Sequence, residues 1–181
     1  MVRNKRMAKF YANWLGVIIA VIIVVISAVI GSIYIYASSK IGDATRFATE
    51  SISISSAEDG FTIIDTIDNP ARYVCQISLV SINIYSLPVD VTISNVTIFL
   101  NEYQFEVIQE GSWEKTLSDE YVFFLGSFVI EQEILAELLE QDRVEIVVRG
   151  NISGSGKYIW ASKTHSFEFE RTAHFTSDNS S

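Results

Sequence analysis

The sequence predicts a mainly β protein, in which one N-terminal transmembrane helix precedes an antiparallel immunoglobulin- or fibronectin-like β-sandwich with one short helix. Three observations support this fold class. Residues 15–37 form an uncharged run rich in Val and Ile. After that run, apolar residues recur at every second position and β-branched residues dominate, which is typical of strands. Helical spacing appears instead at Ile134, Leu135, Leu138 and Leu139, which predicts a short amphipathic helix.

The apolar run is long enough to cross a membrane. A helix needs about 20 residues to span the hydrocarbon core of a bilayer, which is about 30 Å thick. Trp14 precedes the run, and Tyr34 and Tyr36 lie near its far end, where interfacial aromatic residues are expected. A signal peptide cleaved near 37–39 is the alternative, although its apolar region is usually only about 7–15 residues long.

The charged residues are segregated around the apolar run. Four basic residues precede it and all 22 acidic residues follow it, the four being Arg3, Lys5, Arg6 and Lys9. This asymmetry predicts a single-pass protein of the cell membrane with a cytoplasmic N-terminus and an extracytoplasmic C-terminal part. That part carries the other nine of the 13 basic residues against 22 acidic ones, which argues against nucleic acid as a partner.

Small residues inside the run mark a candidate helix–helix contact. Ser27 and Gly31 are four residues apart, and so are Ala28 and Ser32. Such spacings let two membrane helices approach closely, although they also arise by chance. Ser27 and Gly31 are therefore candidate contact residues.

The remaining chain divides into candidate strands. Residues 103–107 and 167–175 alternate apolar and polar side chains, so each has one buried face. Between 89 and 100 the apolar phase changes, and a bulge or turn at Ser94-Asn95 would return both halves to the core. Further strands are expected over 50–56, 74–85, 121–130 and 144–152, with turn-prone stretches at 68–70 and 153–156.

The order of several motifs is shared with a known family. A strand ending at Asn83 is followed by a link containing Pro88, and a later strand leads to Arg149-Gly150. Over residues 77–175 the chain resembles the late-embryogenesis-abundant type 2 (LEA type 2) domain, although Ile84 stands where that family usually has proline. The resemblance implies an immunoglobulin-like sandwich and a role in stress protection or surface recognition. The layout is also similar to that of archaeal motility-motor stator subunits, on architecture alone.

No residue pattern indicates catalysis or a cofactor. His165 and His174 do not accompany a Gly-x-Ser-x-Gly elbow, and His174 is expected to be a solvated surface residue. One cysteine and two distant histidines do not supply a zinc site. Cys75 is expected to be a small buried hydrophobe, with an intermolecular disulfide as the alternative. We therefore expect no enzymatic activity, no cofactor and no metal.

Acidic residues offer two further candidates. Calcium would take carboxylate oxygens, but the available acids lack the order of an EF-hand loop and are expected to be solvated. These acids are Glu58, Asp59, Asp65 and Asp68. Glu168 and Glu170 share a strand face, where a cross-strand charge role is expected rather than glycoside hydrolysis.

Two kinds of surface site remain. Asn95, Asn151 and Asn179 each begin an Asn-x-Ser/Thr sequence, the acceptor pattern for N-glycosylation. Trp113 lies in a polar, loop-like stretch, where it is either an exposed contact for a partner or a side chain that folds back to cap the sandwich.

Together these patterns favour a membrane-anchored, non-enzymatic sandwich that acts by protein contact. Its expected partners are the lipid bilayer and either another protein or a second copy, in a surface assembly or in envelope and stress protection. An ectoenzyme or solute-binding protein with a pocket in the sandwich is the alternative. The expected division is a basic tail (1–13), a membrane helix (14–37), a linker (38–47), a sandwich (48–176) and a flexible tail (177–181).

Overall fold

The computed structural model describes residues 2–55, 61–67, 72–107, 113–118, 121–141 and 143–175. Its first element is one helix, α1 (Val2–Glu50), which contains the whole apolar run. From residue 14 to residue 36 every side chain is at least partly exposed. Among the described residues, this helix has the length and apolar composition needed to cross a membrane. At about 1.5 Å per residue, residues 15–36 extend for about 33 Å, close to the thickness of a hydrocarbon core.

The linker expected at 38–47 is helical, so that prediction is wrong. α1 continues to Glu50, and a stripe of small and apolar residues along its second half is completely buried. These residues recur every three or four positions and therefore share one side of the helix, and they are Ala37, Ile41, Ala44 and Ala48. Of the polar residues that suggested a connector, Ser39, Lys40, Asp43 and Arg46 are exposed, whereas Thr45 is buried beside the stripe. Because the helix extends so far, the strand expected at 50–56 is reduced to β1 (Ser53–Ile54).

Sheet A is antiparallel and is centred on β3 (Arg72–Ile82). β1 and β2 (Phe61–Ile67) pair with one side of β3, and β7 (Tyr121–Glu131) pairs with its other side along its full length. The strands predicted at 74–85 and 121–130 are thus confirmed with shifted ends. β2 was not predicted from the sequence.

Sheet B is antiparallel and contains the longest strands. β4 (Val89–Leu100) pairs on one side with β5 (Tyr103–Glu106) and β6 (Glu114–Leu117), and on the other with β8 (Val144–Tyr158). β9 (Ala161–Phe175) pairs with β8 along its full length. The two sheets and the short helix α2 (Gln132–Leu139) form the predicted sandwich, and Leu135 and Leu138 of α2 are buried.

The predicted bulge in β4 is confirmed. The pairing of β4 with β8 shifts between Ser94 and Thr97, and Asn95 has a φ of 54°, a left-handed conformation that asparagine tolerates. Gly150 lies opposite, where a Cβ would be 3.2 Å from the carbonyl oxygen of Ser94 and 2.9 Å from the Phe169 ring. A glycine is therefore needed where the bulged strand crosses β8.

The turn expected at 153–156 is absent, because these residues lie inside β8. A Cβ on Gly154 would be 2.7 Å from Thr49 Cγ2, and one on Gly156 would be 2.6 Å from Ile41 Cδ1. The two glycines thus let α1 approach the sheet, and the chain turns later, at Ile159-Trp160, between the paired residues Tyr158 and Ala161.

Sheet B is covered by two different elements. At the end of the sandwich farther from the apolar half of α1, sheet B packs on sheet A, where the rings of Phe105 and Phe128 are 5.3 Å apart. Beyond Ile152 its inward face is covered by the second half of α1, through Gly154 and Gly156. α1 therefore occupies the same layer as sheet A and extends the sandwich toward the apolar half of the helix.

Candidate functional site

Sheet A carries several large apolar side chains on the side that faces away from the core. We call this side the outer face of sheet A. Its described apolar members are Val74, Val80 and Ile82 on β3 and Tyr121, Leu125 and Val129 on β7. The strand register places polar residues on the same face, namely Arg72, Gln76, Ser78, Ser127 and Glu131. Ile82 is 40% exposed, Leu125 is 50% exposed and Tyr121 is 58% exposed. The neighbouring Ile84, just after β3, is 67% exposed. Clustered exposure of large apolar side chains is typical of contact sites.

The outer face of sheet B has the opposite character. Its residues on β9 alternate with the buried ones and are polar or charged: Thr164, Ser166, Glu168, Glu170, Thr172 and His174. Arg149 Nε lies 2.5 Å from Glu170 Oε2 on the adjacent strand, which confirms a cross-strand charge role for Glu170. His174 is exposed, as expected for a solvated surface histidine.

The outer face of sheet A lies far from the apolar half of α1. Ser51 Oγ accepts a hydrogen bond from Ile82 N at 2.8 Å and donates one to Ile82 O at 2.9 Å. Ile82 is therefore level with the C-terminal end of α1. At about 1.5 Å per residue, that end is about 20 Å beyond Ala37, where the apolar run finishes.

The junction between α1 and the sandwich is closely packed and also hydrogen-bonded. Thr49 Oγ1 and His165 Nδ1 lie 2.9 Å apart, and Ser81 Oγ donates to Ala48 O at 2.5 Å. Arg171 donates from Nη2 to Glu50 O at 3.0 Å and from Nε to Ile52 O at 2.5 Å. A guanidinium at the C-terminal end of a helix satisfies its last carbonyls and complements the helix dipole.

A buried asparagine organises the link between the two sheets. Asn83 is 1% exposed, and its Nδ2 donates to Leu87 O and Leu117 O at 2.8 and 3.1 Å. Its Oδ1 accepts a hydrogen bond from Tyr85 N at 3.0 Å. Phe47 of α1 meets the Tyr85 ring edge-on, with centroids 5.9 Å apart. The motif that carries the family resemblance therefore forms the β3–β4 connection beside the end of α1.

Two of the three asparagines with the glycosylation pattern lie together at the bulge. Asn95 is exposed, whereas Asn151 is half-buried inside β8 and pairs with Ser94 on one side and Glu168 on the other. The bulge borders an open cleft of about 370 Å³ lined by residues that include Asn95, Glu106 and Trp113. Asn179 lies outside the described residues.

The structure corrects the partner-contact interpretation of Trp113. Its side chain is 4% exposed and stacks on Phe124 with ring centroids 6.3 Å apart. A Cβ on Gly126 would lie 2.7 Å from the indole, so the glycine provides the space that Trp113 fills. Trp113 therefore caps the core, which is the other interpretation that the sequence left open.

The helix–helix candidates lie in the exposed apolar half of α1. Ser27 is exposed, and a Cβ on Gly31 would meet no atom within 4 Å. Ser32 Oγ donates to Ala28 O at 2.8 Å, which keeps that hydroxyl paired within the helix. The contact through Ser27 and Gly31 stays a prediction.

The described residues contain few groups suited to chemistry. Cys75 is completely buried, as expected of a small hydrophobe, and burial raises the pKa of its thiol to about 12. Hydrogen bonding from Tyr103 to Glu137, at 2.7 Å, raises the pKa of the tyrosine hydroxyl. Among the described residues no group of three His, Cys, Asp or Glu side chains could hold a metal. Of the acidic calcium candidates, Glu58, Asp59 and Asp68 lie outside the described residues, as does the side chain of Asp65.

Comparisons with known proteins give no family. No family model matches the chain, and no curated protein matches it. Among solved structures, a protein from Archaeoglobus fulgidus is 15% identical with a TM-score of 0.33, over 68% of this chain and 97% of that one. A target of the Northeast Structural Genomics Consortium is 9% identical with a TM-score of 0.40, over 73% and 91%. AggA, the major subunit of aggregative adherence fimbriae type I from Escherichia coli, is 9% identical with a TM-score of 0.25, over 67% and 94%. No function is carried over from any of them.

Proposed function

We propose that this protein is a membrane-anchored, non-enzymatic β-sandwich that acts by contact with another protein, through the outer face of sheet A. The N-terminus is cytoplasmic and the sandwich is held on the opposite side of the membrane. The exposed apolar side chains of Ile82, Tyr121 and Leu125 on the outer face of sheet A are the observation on which the contact role rests. A sandwich with no partner would be expected to carry polar residues on that side, as sheet B does.

The surroundings of α1 support an uncleaved anchor. The apolar half is exposed on all sides, which is stable only in an apolar environment such as a bilayer. Ala37, the last residue of the apolar run, is completely buried against the sandwich. Cleavage near 37–39, as in a signal peptide, would cut the helix within this packed stripe.

The position of the contact face favours a protein over lipid as its occupant. Ile82 lies about 20 Å along the helix from the end of the apolar run, beyond the reach of the hydrocarbon core. An apolar surface held in water at that height is best covered by the apolar surface of a protein. A second copy of this chain is one such protein, and the experiment below separates it from other partners.

A photo-crosslinking amino acid at position 125 tests the contact role in the full-length protein in its native membranes. Leu125 is 50% exposed on the outer face of sheet A, so replacing it leaves the core intact. Thr172, exposed on the outer face of sheet B, is the matched control position. We expect one defined crosslinked species from position 125 and none from position 172, and its mass distinguishes a second copy from another protein.

Gentle-detergent purification gives an independent readout. Leu125→Glu is expected to release the partner, whereas Thr172→Glu is expected to keep it, because only the first charge would be buried at the interface. If the wild-type protein is recovered alone as a monomer and position 125 gives no crosslink, the contact role is wrong. The LEA type 2 resemblance and glycosylation of Asn95, Asn151 and Asn179 stay predictions.

A further inference from the structure

The β8–β9 hairpin runs along α1 toward its apolar half. Gly154 lies against Thr45 and Thr49, whereas Gly156, two residues further along β8, lies against Ile41. β8 is therefore antiparallel to the helix and descends toward its N-terminal side. On β9, Lys163 lies near Gly42, and the chain between these levels forms the tip of the hairpin.

The tip reaches the level of the helix at which the apolar run ends. From Gly156 to the turn is three residues, which is about 10 Å at about 3.3 Å per strand residue. The same distance along α1 is about seven residues, which places the tip near Tyr34. The complete burial of Ala37 and Ala161 agrees with contact between the hairpin and the helix at this level.

The residues at the tip are unsuited to a turn in water. Ile159 has a φ of 56°, which is strained for a β-branched residue and is usually reserved for Gly or Asn in a two-residue hairpin. Ile159 and Trp160 are 48% and 50% exposed, although both are large and apolar. A strained turn that keeps two exposed apolar side chains points to a role at this position rather than to stability.

The charges around the tip differ from those of the rest of the sandwich. Lys40, Lys157 and Lys163 are exposed at this end, and residues 34–42 and 157–163 contain no acidic residue. The chain as a whole has a formal net charge of −9. Lysines beside tryptophan and tyrosine are the combination found at membrane–water interfaces, where they meet lipid headgroups.

We propose that the tip of the β8–β9 hairpin inserts Ile159 and Trp160 into the headgroup region of the leaflet from which the sandwich emerges. This inference rests on the membrane anchoring proposed above. It gives the sandwich a second attachment to the bilayer, beside α1. Two attachments fix the tilt of the sandwich and hence the direction in which sheet A faces.

Tryptophan quenching by lipid tests this attachment in the full-length protein. The chain has three tryptophans, of which Trp14 reports insertion of α1, Trp160 reports the hairpin tip and buried Trp113 gives a constant background. Trp14→Phe, Trp160→Phe and the double variant are reconstituted in nanodiscs with or without lipids brominated near the headgroup. All three variants keep the core residue Trp113, so the sandwich is expected to fold.

The fractions of fluorescence lost in brominated nanodiscs decide between the outcomes. We expect Trp14→Phe, which retains Trp160, to lose at least about twice the fraction lost by the double variant, as an interfacial tryptophan should. Quenching of Trp14 without quenching of Trp160 would overturn the inference while leaving the anchor intact, and the tip would then be free for a protein. Quenching of neither residue would overturn the anchor itself.

Lysine variants separate lipid contact from simple proximity. In the Trp14→Phe protein, Lys157→Gln with Lys163→Gln is expected to reduce the quenching of Trp160 in nanodiscs that contain anionic lipid. The emission maximum of Trp160 should move to longer wavelength at the same time, as the indole becomes more hydrated. Unchanged quenching and emission in the lysine variant would contradict a role for the headgroups.

Discussion

The two halves of α1 share one secondary structure but have opposite surroundings. In residues 15–36 apolar side chains are exposed on all sides, whereas in residues 37–50 the buried residues form a single stripe against the sandwich. The first pattern needs an apolar solvent, and the second needs a sheet to cover one side. A single continuous helix therefore couples the apolar segment, which we propose to cross the membrane, to the β-sandwich without a break in the helix between them.

The largest loss of stability is expected where residues 37–50 of α1 pack closely on sheet B. Gly154→Val should destabilise the sandwich by about 3 kcal/mol, because even a Cβ would lie 2.7 Å from Thr49 Cγ2 and 3.1 Å from the backbone oxygen of Thr45. Urea unfolding of the full-length protein in detergent measures this. Gly42→Ala is the control: its Cβ would meet Lys163 at 3.9 Å, so stability should rise by about 0.5–1 kcal/mol.

Loss of the helix cap should have the next largest effect. Arg171→Ala removes hydrogen bonds from a charged group to Glu50 O and Ile52 O, and should cost about 2 kcal/mol. Arg149→Ala, which removes an exposed pair with Glu170, should cost no more than about 1 kcal/mol. Equal losses of unfolding free energy in the two variants would show that Arg171 does not cap α1.

A smaller effect is expected at the hydrogen bond between the helix and β9. Thr49→Val keeps the shape of the side chain and removes the contact with His165 Nδ1, which should cost about 1 kcal/mol. Thr172→Val, on the exposed face of β9, the strand that carries His165, should change stability by less than about 0.5 kcal/mol. The same unfolding titration compares the two valine variants, and a packed junction requires a larger loss at Thr49.

The smallest effect on the sandwich is expected in the apolar half. Gly31→Val introduces the same side chain as Gly154→Val where a Cβ would meet no atom within 4 Å, so unfolding of the sandwich should change by less than about 0.5 kcal/mol. If Ser27 and Gly31 mediate a helix–helix contact, the same variant should lower self-association measured by light scattering in detergent. A large loss of sandwich stability would contradict the independence of the two halves.

The sequence predicted the features that depend on local pattern. The 3.6-residue spacing of α2, the phase change resolved by the bulge at Asn95 and the burial of Cys75 follow from periodicity and residue type, and the structure agrees with each. The same reasoning failed at 38–47 and at Gly154 and Gly156. There, small and polar residues suggested a connector and a turn. In the structure they allow a close contact between α1 and β8, and such a contact depends on tertiary packing rather than on local sequence.

The outer face of sheet A is indicated by a sequence pattern that a search for alternating apolar and polar residues overlooks. Residues 121–130 are apolar at both odd and even positions, a pattern typical of a strand covered on both faces. For Trp113 the sequence left both exposure and burial open, and packing against Phe124 and Gly126 decides for burial. The strand pairing was needed to show which residues of sheet A share its outer face. The Ser51–Ile82 hydrogen bonds were needed to show how far this face lies from the apolar half of α1.

A scan of spin labels along α1 tests most directly whether one continuous helix has an apolar half surrounded by lipid and a second half packed on the sandwich. Single cysteines at successive positions from 14 to 50, in a Cys75→Ala protein in nanodiscs, report collisions with oxygen in lipid and with a water-soluble relaxer. We expect high oxygen accessibility around the whole helix in residues 15–36. From 37 to 50, low accessibility to both reagents is expected at the buried positions 37, 41, 44, 45, 48 and 49, and higher water accessibility at the exposed positions 39, 40, 43, 46 and 50. Mobile labels with uniform water accessibility from 38 to 47 would indicate a flexible linker there and would contradict a continuous helix packed against the sandwich.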